Sequence, residues 1–416
     1  MPAGGAVAGG VPVQPQVPPA AGGAPGTLMG GPWAALGTGG TSGDLETLVP
    51  GPFTRRKLGR LSHKAVQAAG EAFLKVWDGA EALGSAELVW ARARAALAAL
   101  DSRLPHVGGA GGRGKPASTR ERAIRLTREG DWSRAAAALD SAFVGDDDAG
   151  RVVREQVRSD LPPGPEVVVA QGPVAAPDYL ARVLGEVREA VRAAPKRRGA
   201  GPTGLYPDAL HAVIEANVRV ARAVAGLIAP GERFGPPAWL AAAAGIVIKG
   251  GTGKARFIAS PEALLKLVER VLVNRFRAAL RGMRHAAAPF QSGGAPALGV
   301  TVLSRLALGD VVICADGVNA YSTIFHSSLC GASPPQSWEV WLGSCLERRS
   351  VTLGGQAVAL PQRRGAGLGG PLMPAAFSCV MDRLTARVMT EFPTVTARWY
   401  LDDLFVWGAL RSEVRR

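Results

Sequence analysis

The stretch ARWYLDDLFVWG (397–408) reads as two apolar strands closing around a pair of acids. Trp399 and Tyr400 precede Asp402 and Asp403, and Leu404, Phe405, Val406 and Trp407 follow. This is the pattern of a hairpin whose tight turn carries the charges. Adjacent aspartates between apolar flanks repel one another unless a divalent cation offsets them. Acid-bearing turns are common, so this one decides little alone.

A counterpart lies upstream in VVICADGVNAYSTIF (311–325). Its short apolar run suits a buried strand, and Asp316 ends it. A carboxylate there is costly to desolvate unless a cation or donor meets it, although a strand-end aspartate also serves as an ordinary helix cap. Gly317 leaves room for a ligand to approach the backbone. A strand-end acid and an acidic hairpin, some eighty residues apart in one basic chain, fit a site for two Mg²⁺ ions. Such ions sit about 4 Å apart and take carboxylate and phosphate oxygens.

Composition points the same way. Lysine and arginine number 48 against 34 acids, a net charge of +14, which implies a polyanionic partner, nucleic acid before an anionic membrane surface. Four cysteines without CxxC spacing, and five scattered histidines, exclude a zinc site or disulfide framework and fit a reducing, intracellular setting. The start has neither a basic nor an apolar signal region, and no uncharged apolar run approaches the roughly 18 residues of a membrane span. A soluble protein, neither secreted nor membrane-bound, is expected.

The blocks together resemble the reverse transcriptase domain of non-LTR retrotransposons. Asp316-Gly-Val-Asn-Ala-Tyr321 has the family's D-x-x-x-A-Y/F spacing, and Tyr400-Leu-Asp-Asp403 is its Y-x-D-D box. IVIKGGTGKARFIASPEALLKLVERVLVNRF (246–276) is similar to its fingers block, and RRGAGLGGPLMPAAFS (363–378) to its Q-G-D-P-L-x-P-x-x-F. In the last, Gly369, Pro371, Leu372, Pro374 and Phe377 fit. Leu368 and Gly370 replace the family's Gln and Asp, and His326 stands where an arginine is common. Gly201-Pro-Thr-Gly204 resembles the family's G-P-S-G turn, so the likeness runs from about residue 120 to 408.

The resemblance implies RNA-directed DNA synthesis in the nucleus on an RNA template and DNA primer with dNTPs, using two Mg²⁺ with Mn²⁺ as a substitute. It makes Asp316, Asp402 and Asp403 the catalytic metal ligands. Lys249 and Arg256 would bracket the incoming triphosphate, and Tyr321 would exclude a 2′-hydroxyl. Gly369 and Pro371 would pack behind template and primer, with Lys266 and Arg270 on a basic helix face for their phosphates, continued by Arg275, Arg277 and Arg281. A second reading is a degenerate or truncated remnant that binds nucleic acid without activity, favoured by the missing Gln and Asp and by a chain ending soon after Asp403. A third is a merely basic, helix-rich nucleic-acid binder.

The expected fold is α+β. A right-hand fingers and palm would have an antiparallel palm sheet backed by helices, with a helical N-terminal extension, a disordered leader and no thumb. The leader would be 1–53, a helical segment and Gly-rich linker 54–118, a helical extension 119–238, and the fingers and palm 239–416. Within these, 54–104 has helical periodicity, as in Ala69 and Phe73 on one face. Further helices are expected around Gly130 and at 177–194 and 206–228, with 145–176 extended and Asp146-Asp-Asp148 a solvated loop. Ser260 is the expected N-cap of a helix with Pro261 and Glu262 in its first turn. GAGGRGKP (109–116) and GGTGKAR (251–256 with the preceding Gly250) fail as phosphate loops, the first having Pro116 where a hydroxyl is needed.

Overall fold

A computed structural model describes residues 57–58, 61–78, 85–107, 142–143, 146–167, 172, 178–195, 199–249, 255–287, 294–317, 320–332, 336–353, 356–365 and 369–409. The leader, the Gly-rich linker and the expected helices around Gly130 lie outside the described residues. So does Leu368.

In chain order the first elements are β1 (Lys57–Leu58), α1 (His63–Asp78), α2 (Ala86–Ser102), β2 (His106–Val107) and β3 (Ala142–Phe143). Then come α3 (Asp146–Val157), α4 (Tyr179–Arg192), α5 (Pro207–Ala216), α6 (Val218–Phe234), β4 (Ala242–Lys249) and β5 (Ala255–Pro261). α7 (Ala263–Arg275), α8 (Arg277–Arg281), β6 (Ala286–Ala287), α9 (Gly294–Ala307), β7 (Val311–Asp316), α10 (Ala320–Thr323) and α11 (His326–Ala332) follow. The last are α12 (Gln336–Arg348), β8 (Ser350–Leu353), β9 (Gln356–Ala357), α13 (Leu372–Met389), β10 (Thr396–Tyr400) and β11 (Asp403–Gly408).

Two small, mostly antiparallel sheets matter for the site. One runs β6-β10-β11-β7, and the other runs β3-β4-β8-β9 with β5 on β4. β4 also pairs β8 in parallel, Ala242 opposite Ser350, a contact no local pattern announces. None of the helices among the described residues is long and apolar enough to cross a membrane.

The apolar core does not stop at residue 238. Phe73 and Trp90 from the first helix pair, Val187, Ile214 and Ile228 from α4 to α6, Val268 from α7, Trp341 from α12 and Phe377 from α13 belong to one cluster. Each such buried side chain contributes roughly 1.5–3 kcal/mol. Gly231 makes room for the indole: a Cβ there would lie 3.2 Å from Trp341 Cε3, with another ring atom nearer still. α1 and α2 occupy the stretch whose periodicity predicted helices, and Ala69 and Phe73 are buried as the shared face requires.

Three local expectations need correction. Residues 146–157 are a helix, not an extended or looped segment. Val152, Val153 and Val157 form a short stripe that packs on Val247, Phe257 and Ala259. The helix expected at 206–228 is two, parted at Asn217, whose side-chain oxygen accepts from Arg219 N (3.0 Å) and Val220 N (3.4 Å). Finally, β5 runs on through Pro261 and α7 starts at Ala263, with Glu262 at the cap position making no side-chain cap bond. Its carboxylate goes to the 201–204 turn instead, accepting from Thr203 N (2.8 Å) and Thr203 Oγ1 (2.6 Å).

Candidate active site at the acidic end of a sheet

Asp316 is the last residue of β7 and Asp403 the first of β11, and the antiparallel register puts them opposite each other. Tyr400 pairs with Asp403 across the neighbouring hairpin, which leaves Leu401 and Asp402 as a two-residue turn. Leu401 takes φ 59°, a conformation costly for a branched side chain. The link between the two acidic segments is direct: Gly317 N donates to Asp402 O at 2.8 Å. A Cβ on Gly317 would stand 3.2 Å from that oxygen and 3.1 Å from Ala320 Cβ. The close approach therefore favours glycine.

Partial burial, then repulsion from Asp402 and Asp316, pushes the Asp403 carboxyl above the usual carboxylate range, while Arg256 draws it back. Arg256 is exposed on β5, so the second sheet delivers a guanidinium into electrostatic reach of the acids. Lys249 ends β4 opposite Ala255; its side chain lies outside the described residues. Tyr321 stacks on Phe377 of α13, centroids 4.5 Å apart and planes at 26°. Burial, then Asp402 and Tyr400, raises its hydroxyl pKa, which places the ring beside the acidic turn. Three separate blocks of the sequence thus meet here.

Among the described residues no group of three or more His, Cys, Asp or Glu side chains is placed to hold a metal ion. The acids meet at one edge without forming an all-protein cage.

Gly369 and Pro371 lie just before α13, with Gly369 against β5. Gly369 has φ 102°, a value that disfavours any side chain, and its Cα faces the Ala259 carbonyl. Pro371 caps α13. Lys266 and Arg270 are not on an open basic face. Lys266 Nζ donates to Gly199 O (2.9 Å) and Ser260 Oγ (2.8 Å), clasping the 199–204 segment to β5. Arg270 faces His211, whose imidazole is held down to about 4 chiefly by burial and in part by that guanidinium. Arg275 pairs with Glu186 (2.7 Å) and Glu232, and Glu232 also accepts from Tyr179. The arginine and lysine side of α7 is spent on internal joints, because the N-terminal helices cover it.

Sequence reasoning missed Glu262, Glu269 and Arg349. Burial lifts Glu262 to about 7 and Glu269 to about 8. Arg349 donates to the Pro361, Arg364 and Gly365 carbonyls and so gathers the loop before Gly369. Beside it, His326 is buried with Nε2 3.1 Å from Gly365 O. Glu269 on an amphipathic helix looks solvated from sequence, Glu262 reads as a first-turn acid, and Arg349 follows the end of α12 with no pattern of its own.

Residues 247–416 match the family described as reverse transcriptase (RNA-dependent DNA polymerase). The matched stretch contains both sheets' site residues, Arg256, Asp316, Tyr321, Asp402 and Asp403, and is similar throughout to a reverse-transcriptase-type polymerase domain. Among solved structures, an apo telomerase from Candida Tropicalis, truncated from its C-terminal domain, aligns over 87% of this chain and 88% of that one. Identity there is 9% and the TM-score 0.31. No curated protein sequence matches the chain.

Proposed function

We propose that this chain is the RNA-directed DNA polymerase of a non-LTR retrotransposon, with fingers and palm within 239–416. The observation that carries the reading is the register of Asp316 with Asp403, tied by the Gly317 N to Asp402 O bond. Asp316, Asp402 and Asp403 would hold two Mg²⁺, or Mn²⁺ in their place. The donor set fits: it is all oxygen, and its mutual repulsion is what a divalent cation relieves. When bound, the ions activate the primer 3′-hydroxyl and stabilise the pyrophosphate leaving group.

The chain's own side chains do the rest. Arg256 meets triphosphate oxygens as a planar fork and Lys249 as a point charge. Tyr321, braced by Phe377, would meet the 2′ position of an incoming sugar and so select dNTPs. Gly369 and Pro371 keep the segment behind template and primer close-packed. The net charge of +14 supplies attraction for the RNA template and DNA primer independent of sequence.

The test is primer extension on an RNA template by the full chain with Mg²⁺ or Mn²⁺. Extension that disappears in Asp402→Ala supports the reading. A second reading, a nucleic-acid-binding remnant, is favoured by Leu368 and Gly370 in place of the family's polar pair. RNA binding by the wild-type chain without extension under either metal would establish that reading and end the first.

A further inference from the structure

Gly370 is the departure from the family pattern that the packing explains. Its φ is outside the left-handed region, so the backbone would accept any residue. The space is taken: a Cβ at 370 would overlap Glu269 Oε2 and stand 3.0 Å from Cδ and 3.2 Å from Oε1, so a side chain there must displace the end of Glu269. The Glu269 carboxyl, reaching from α7 and 1% exposed, already fills the place of a side chain at 370. It is also engaged there, since Leu372 N donates to Oε2 at 3.3 Å.

That bond falls on the first residue of α13, one of the amino-end N–H groups with no partner inside the helix. The helix has nothing of its own to offer. Its cap residue, Pro371, makes no side-chain bond, and its first turn holds no acid. An aspartate at 370 would ordinarily reach two residues forward to this same N–H. The turn it would stabilise is gripped on its other side by β5, where Gly369 lies against Ala259 O and Pro261. One and a half helical turns further along, α13 presents Phe377 to Tyr321.

We propose that Glu269 is the positioning residue of the Gly369–Leu372 turn, supplying from α7 the carboxylate that residue 370 lacks, and that the turn in this way fixes the Phe377–Tyr321 stack beside Asp402. The carboxylate has changed places in the sequence while keeping its place in space. A cavity of about 70 Å³ lies alongside, lined by Phe257, Leu265, Glu269, Gly370 and Met373, so a side chain moved from 269 to 370 has room to settle. The kinetic consequence rests on the polymerase reading; the exchange of carboxylates does not.

The experiment compares wild type, Glu269→Ala, Gly370→Asp and the double variant, with Glu269→Gln as the conservative control. Each is measured by thermal unfolding and by dNTP KM and kcat in primer extension. Each single change is expected to lower the unfolding midpoint and raise dNTP KM about tenfold, Gly370→Asp because two carboxyls then compete for one space. The double variant is expected to recover the midpoint and return KM to within about threefold of wild type. Glu269→Gln keeps the acceptor for Leu372 N and should hold dNTP KM near wild type, with an unfolding midpoint at pH 7 no lower than wild type. A double variant no better than its worse parent in midpoint overturns the exchange. Recovery of the midpoint with KM unmoved in every variant overturns the positioning role. If the wild type extends no primer, the polymerase reading fails, and the midpoints still decide whether the carboxylate has been exchanged.

Discussion

Two sets of carboxylates in this chain live under opposite conditions. Asp316 and Asp403 are exposed at the ends of neighbouring strands, and with Asp402 they crowd one another across backbone contacts. Glu232, Glu262 and Glu269 are buried on helices or at their ends. Each of those has donors on it: Arg275 and Tyr179 on Glu232, Thr203 on Glu262, Leu372 N on Glu269. Burial with a partner makes a joint, and crowding at an exposed edge leaves carboxylates that repel one another. The difference separates structural acids from candidate catalytic ones better than residue type or net charge does.

The largest expected effect breaks the comparison at its wet end. Asp316→Asn should lower primer extension by about 10⁴-fold while leaving the unfolding midpoint unchanged or raised, since the repulsion at Asp403 eases. A midpoint that falls along with activity would mean that the acid is structural after all. At the dry end, Glu269 titrates inside the folded chain at about 8. A raised carboxyl stabilises the fold fully below its ordinary value of about 4.5, and that stability is lost as pH rises towards 8, at about 1.4 kcal/mol for each pH unit between the two. Glu269→Gln carries no such proton, so the gap in stability between variant and wild type should widen over this window. Lys266 on the same helix, Cys345 on α12 and Arg349 across the cavity are unchanged in both proteins and leave the difference to Glu269. Parallel pH profiles would show that the carboxyl is not held neutral.

Much of the wet end was legible in the sequence. ARWYLDDLFVWG became the β10–β11 hairpin with Asp402 in the turn and Asp403 opening β11, and the apolar run 311–315 became the strand beside it, part-exposed and exposed where a buried strand was expected. Short-range alternation and turn chemistry suffice for such elements. The dry end was not legible. The pairing of β4 with β8 joins residues about a hundred apart. The lysine and arginines of α7 read as a solvated face because nothing in a single helix tells which neighbours will cover it. Glu262 looked like a first-turn acid, yet the Thr203 hydroxyl and amide claim it from 59 residues away. Trp338 and Trp341, both fully buried on α12, sit in a stretch whose local pattern gave no element at all.

Tyr321 stands between the two conditions, half-buried against Phe377 with its hydroxyl near Asp402. Tyr321→Val should therefore keep most of the dNTP rate and relax discrimination against ribonucleotides by about 10–100-fold, an effect of roughly 1–3 kcal/mol. Competition between labelled rNTP and dNTP on one template measures it. Unchanged discrimination would detach the ring from the nucleotide and leave it as packing for α13.

The smallest expected effect tests whether exposure alone is the governing variable. Arg151 and Glu155 on α3 form an ion pair at 2.9 Å with side chains 58% and 59% exposed. Charge and geometry there resemble the Arg275 pairs, whose guanidinium side chain is only 13% exposed. Water screens the first pair, and an i,i+4 pair of this kind contributes about 0.3–0.5 kcal/mol. Removing Glu232 from the second leaves Arg275 with Glu186 alone and takes the acceptor from Tyr179 in a site water barely reaches, a loss of up to roughly 3–5 kcal/mol. Denaturant unfolding of Arg151→Ala beside Glu232→Ala measures both on one scale. If Arg151→Ala costs as much as Glu232→Ala, wetness does not set what a charge is worth in this fold. The exposed aspartates of β7 and β11 would then lose their distinction from the buried glutamates.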